Sequence, residues 1–110
     1  MKYGCHIRVF RDFYSHHGIY VGEDMVIHYK PYGIVLSSLS EFAGNDTVIE
    51  VYHEGQDFAE TVSRAYSRLG ENMYNLVFNN CESFANWCAT GCNRSKQVEG
   101  VFTFIERLLS

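Results

Sequence analysis

Residues 16–30 read HHGIYVGEDMVIHYK, two runs in which apolar and polar residues alternate around a Gly-Glu-Asp break, the pattern of a β-hairpin. Its register decides which side chains share a face. A two-residue loop of Glu23 and Asp24 sets Gly22 opposite Met25 and puts His28 on the face of Ile19 and Val21. A three-residue loop, Gly22 to Asp24, sets Val21 opposite Met25 and gathers Ile19, Val21, Met25 and Ile27 on one wholly apolar face. The second register separates apolar from polar residues better. It brings His16, Gly18, Tyr20, Val26 and His28 onto the other face, with His16 and His28 diagonal to each other on adjacent strands. His17 falls on the opposite face by alternation.

Outward from the hairpin, the first half of the chain continues as strands: 5–10, 16–22, 24–30, 33–38 and 46–53, separated by Gly, Asp and Asn turns. The second half reads as helix. Residues 57–69 space Phe58, Val62, Ala65, Tyr66 and Leu69 helically and end at Gly70. A second helix runs from Asn80 to Thr90 and stops at Gly91, and a third is expected within 96–109. Strands followed by helices imply an α+β domain, 1–110 as a single unit, with an antiparallel sheet and its helices on one side.

Composition narrows the function classes. With 46% apolar residues and one proline in 110 residues, an ordered core is expected. The net charge is −4 and the Lys and Arg residues are scattered, so no phosphate-tracking stripe forms and nucleic acid is excluded as a partner. His6, Arg8, Arg11 and Asp12 interrupt the N-terminal stretch where a signal peptide needs an apolar run. No stretch approaches the roughly 20 apolar residues that cross a bilayer. The expectation is a soluble, cytoplasmic protein with at most peripheral membrane contact. Cys5, Cys81, Cys88 and Cys92 match neither a disulfide framework nor paired zinc knuckles, so they are read as free thiols, Cys88 and Cys92 as one packing stripe.

Cys81 differs because it follows Asn79 and Asn80, two good N-cap residues, and so stands at the positive end of a helix. That position is expected to lower the thiol pKa from its usual ~8.5, and the same backbone N–H groups can hold an oxyanion. A nucleophilic cysteine needs a base and an orienting group within reach. His16 and His28, on one face of the hairpin, supply them, and Tyr20 bounds the pocket or donates a hydrogen bond. His6 and His53 have no partner in sequence and are read as structural. Zinc on His16, His28 and Cys81 has no ligand spacing to support it, so neither metal nor cofactor is expected.

The stretches HHGIYVGEDMVIHY at 16–29 and YNLVFNNCESFANWC at 74–88 together resemble the H-box and NC-box of the lecithin retinol acyltransferase family, relatives of NlpC-type cysteine peptidases with a permuted papain-like core. The resemblance spans most of residues 4–92. It implies His16 as base, His28 as orienter and Cys81 as nucleophile, with His17 in the position of an aromatic residue beside the pocket. Ser83 stands where the family pattern has a histidine, which places it at the pocket too, and Cys5 stands where relatives often have an acid. The implied activity is thiol-dependent acyl transfer or lipid acyl hydrolysis on an acyl-lipid or other ester or amide substrate. An NlpC-type peptidase or amidase and a non-catalytic interaction domain are the rival readings.

Overall fold

The computed structural model describes residues 1–11, 13–75 and 79–92, and the helix expected within 96–109 lies outside them. Five strands form one antiparallel sheet: β1 His6–Arg11, β2 Tyr14–Tyr20, β3 Met25–Lys30, β4 Gly33–Ser38 and β5 Ile49–Val51, in the order β4-β3-β2-β1-β5. Three helices accompany it: α1 Leu39–Ala43, α2 Phe58–Ser67 and α3 Cys81–Thr90. The α+β class follows.

The hairpin takes the three-residue loop. Ile19 pairs with Ile27 and Tyr20 with Val26, and the Val21 N–H donates to the Met25 carbonyl at 3.0 Å. Gly22, Glu23 and Asp24 all have positive φ (86°, 52° and 58°), which turns the chain within three residues. The Tyr20 hydroxyl accepts from the Asp24 N–H at 3.2 Å and braces the loop.

With this register, Ile19, Val21, Ile27 and Tyr29 face α2 and α3, where Val62, Ala65, Phe84, Ala85 and Cys88 close the larger core. Ile7, Val9 and Val26 face the other way, against Phe42 and Ala43 of α1. The helices therefore do not all lie on one side. At five residues, α1 is too short to show a periodicity, and its one sequence signal is the Ser38 cap, whose hydroxyl accepts from the Glu41 N–H. β5 is also shorter than expected, because only Ile49–Val51 finds a partner, on Arg8 to His6 of β1.

The start of α3 is fixed by a reciprocal cap. The Asn80 side-chain oxygen accepts from the Ser83 N–H at 3.0 Å, and the Ser83 hydroxyl accepts from the Asn80 N–H at 2.9 Å. Gly91, at φ 78°, ends the helix by donating to the Trp87 carbonyl. Beyond it the chain leaves the helical stripe, so Cys88 is fully buried but Cys92 is exposed, which corrects the shared packing role expected of the pair. Among the described residues no helix is long and apolar enough to cross a membrane.

Asn80→Ala removes one half of the cap and strands the buried Ser83 N–H. The unfolding free energy in urea should fall by about 1–2 kcal/mol, and Asn80→Ser should recover most of it. Equal stability of all three proteins would mean that the cap does not hold the helix start.

Candidate active site

Cys81 is the first residue of α3, and the residues ahead of it anchor that end to the rest of the fold. Asn79 serves as a strut rather than as the cap. Its amide donates to the Met73 carbonyl at 2.7 Å, to Glu71 at 3.2 Å and to the Tyr29 hydroxyl at 3.3 Å, and its oxygen accepts from Arg68 at 3.1 Å. Hydrogen bonds from Arg68 are the largest influence holding the Glu71 carboxyl at about 2, so this charged strut stays formed at neutral pH. The helix start is thereby tied to β3 and to the chain following α2.

The thiol points at β2, with Sγ 3.8 Å from the Ser15 carbonyl. Its pKa is raised, contrary to the lowering expected from the helix start. Burial is the main cause, the Glu82 carboxylate adds to it, and the backbone N–H groups of His17, Glu82 and Cys81 pull the other way without prevailing. At 8% exposure the desolvation of a thiolate outweighs the partial charge of a helix end. The resting group is a thiol.

His16 and His28 extend from the α1 face. His16 stands with its ring 4.8 Å from that of Tyr14. His28 is buried, its Nε2 2.9 Å from the Ser37 hydroxyl and its ring edge-on to Phe42. Burial first, then the nearby Lys30 and His16, push its pKa down to about 4, so it is neutral at pH 7. Gly18 makes this arrangement possible: a Cβ there would lie 2.6 Å from Val26 Cγ1, 3.2 Å from Phe42 Cε2 and 3.3 Å from His28 Cβ. These three side chains fill the space beside Gly18.

The β2–β3 ladder stops short of His16. Among the described residues the two strands pair only at Ile19–Ile27 and Tyr20–Val26. Past that point a cleft of about 90 Å³ is lined from the α1 face by His16, His28, Tyr14 and Arg11, and from the α3 side by Cys81 and Tyr74. Groups on opposite faces of the sheet thus share one cavity.

Three residues expected around the pocket are placed elsewhere. Tyr20 braces the hairpin loop, Ser83 is buried within the α3 cap, and His17 faces α3. There His17 belongs to a row of histidines: His6 Nδ1 is 2.8 Å from His53 Nε2, His6 Nε2 is 2.7 Å from His17 Nδ1, and His17 Nε2 is 3.4 Å from Glu82. His6 and His53 are 47 residues apart, and only the pairing of β1 with β5 reveals that they meet. Ser37 also escaped the sequence reading. Its signal is the first hydroxyl after the apolar run 34–36 in the strand beside that of His28.

The profile of the lecithin retinol acyltransferase family matches residues 1–47 and 32–94. The chain is 31% identical to human phospholipase A and acyltransferase 3, with 91% of this chain and 77% of that protein covered. It is 29% identical to human phospholipase A and acyltransferase 2, covering 94% and 80%, and 24% identical to mouse lecithin retinol acyltransferase, covering 94% and 60%.

Two buried imidazoles impose a pH dependence on stability. Burial pushes His6 down to about 2 and His28 to about 4, whereas in the unfolded chain both take a proton near 6.5. Their contribution is complete above pH 6.5 and is lost as the pH falls toward about 4 for His28 and about 2 for His6, because the unfolded state then binds more protons. Urea unfolding at pH 5 should give a free energy about 2–4 kcal/mol below that at pH 7. A value constant between these pH values would show that the two rings are not held neutral.

Proposed function

Because the chain belongs to the lecithin retinol acyltransferase family, we propose that it is a thiol-dependent enzyme that takes a fatty acyl group from a phospholipid and passes it to water, an alcohol or an amine. The observation that carries this reading is the cleft shared by Cys81, His16 and His28. In the same reading the histidine-bearing strands followed by a helix headed by cysteine form the permuted papain-like core related to NlpC-type peptidases.

The chemistry starts from a protonated thiol. His16 takes the thiol proton as Cys81 Sγ attacks the ester carbonyl, so the charge is created only when the substrate is in place. This fits a thiol whose pKa burial has raised. The tetrahedral oxyanion lies against backbone N–H groups at the start of α3. His16 returns the proton to the departing alkoxide, the C–O bond breaks, and a thioester remains on Cys81. The acceptor, deprotonated by His16, attacks the thioester and releases the thiol. His28, neutral and held by Ser37, orients His16 without competing for the proton.

The decisive measurement is the mass of the protein after incubation with dihexanoyl phosphatidylcholine. One added acyl group on the Cys81 peptide, labile to hydroxylamine and absent in Cys81→Ser, is the expected result. His16→Ala should slow its formation by about 10²–10⁴. Lipid turnover that survives Cys81→Ala would sink the proposal.

A further inference from the structure

On the α3 side of the sheet lies a second concavity, of about 280 Å³, lined by Arg8, Ser15, His17, Tyr52, His53 and Glu82. It adjoins the nucleophile through two residues. The Ser15 carbonyl faces the Cys81 thiol, and Glu82 follows Cys81 in the helix. The acyl-transfer steps use none of the ionisable side chains on its walls.

Its walls are held in place by the histidine row. The ring nitrogens make a series of contacts that runs from His53 through His6 and His17 toward the Glu82 carboxylate. The ring nitrogens pair off rather than converge, and among the described residues no group of three such side chains could hold a metal ion. The row joins β1, β2, α3 and the chain following β5, which makes a rigid floor. His17 Nε2 is fully enclosed and has no hydrogen-bond partner; the Glu82 carboxylate oxygen 3.4 Å away is its ion-pair neighbour.

The charges on the walls choose the ligand. Arg8 is half-buried and, among the described residues, has no hydrogen bond or ion pair, while its charge reaches far enough to help hold His6 neutral. Glu82 brings a carboxylate to the same concavity, and Tyr52, 84% exposed, an aromatic ring. A simple anion would meet Glu82 and a simple cation would meet Arg8. A ligand carrying both signs satisfies both, with a guanidinium on phosphate and a carboxylate and an aromatic ring around an ammonium group.

We propose that this concavity binds a phosphodiester bearing a cationic amine, the zwitterionic headgroup of a phospholipid, with Arg8 on the phosphate and Glu82 and Tyr52 on the amine. The assignment rests on the acyl-lipid reading above. It sets the headgroup on one side of residues 15–17 of β2 and the histidines that act on the ester on the other, with Cys81 between them.

The test uses the full chain labelled in its histidine rings and titrated with glycerophosphocholine, which has no acyl group to transfer. The ring signals of His6, His17 and His53 should shift saturably while those of His28 stay in place. Arg8→Gln should weaken binding about tenfold and Arg8→Lys recover most of it, and glycerol phosphate or choline alone should each bind at least tenfold more weakly. In turnover, the kcat/KM ratio of dihexanoyl phosphatidylcholine to a p-nitrophenyl ester should fall about tenfold in Arg8→Gln. Unmoved ring signals, or glycerol phosphate binding as well as glycerophosphocholine, would overturn the assignment. Binding without an acyl adduct on Cys81 would sink the catalytic reading and leave this site standing, and an adduct without binding would do the reverse.

Discussion

The register that pairs Ile19 with Ile27 constrains everything built on the hairpin, and three consecutive left-handed residues, Gly22 to Asp24, close the loop it requires. A loop one residue shorter would carry β3 one position along β2 and send His28 to the face of Ile19 and Val21. The apolar surface under α2 and α3 would then hold a buried imidazole, and Ile27 would turn toward α1. Glu23 and Asp24 each take a backbone conformation that side-chain-bearing residues adopt at some cost. The burial of Ile19, Ile27 and Tyr29, at about 2 kcal/mol per large apolar side chain, far exceeds it. The register is thus set by the core and only accommodated by the turn.

Opposed demands meet at Cys81. A thiol at the head of a capped helix is favoured as an anion by the N–H groups around it, but the same tight placement against β2 removes the water that an anion needs. Burial wins, and it is the main reason the thiol keeps its proton. In the mechanism proposed above, the thiolate then arises only when a base accepts the proton and a carbonyl accepts the electron pair. The Arg68–Glu71–Asn79 strut and the Asn80–Ser83 cap supply rigidity in place of a preformed ion pair.

Much of this was legible in the sequence because it depends on local periodicity. The strands, α2, α3 and the face shared by His16 and His28 follow from alternation and from residues such as Asn80, Gly70 and Gly91. What escaped is non-local or too short. The meeting of His6 with His53 needs β5 to dock on β1, which no spacing along the chain announces. α1 lacks the second turn that would show a period. Ser83 sits where the family pattern has a histidine, and only the cap geometry shows that its hydroxyl is engaged by the helix start. The sign of the Cys81 shift was missed because a helix end is visible in sequence and the degree of burial is not.

The two concavities are related by the elementary geometry of the elements that separate them. Adjacent residues of a strand point to opposite faces, so His16 serves the cleft of His28 while His17 joins the row that ends at Glu82. Adjacent residues of a helix diverge by about 100°, so Cys81 and Glu82, one position apart, line different cavities. The fold thus uses one strand and one helix end twice. The Cys81 Sγ contacts the carbonyl of Ser15, a residue that also lines the second concavity. A ligand held by Arg8 and Glu82, as proposed above, would touch the residue that follows Cys81 in the helix, in a cavity that shares Ser15 with the thiol.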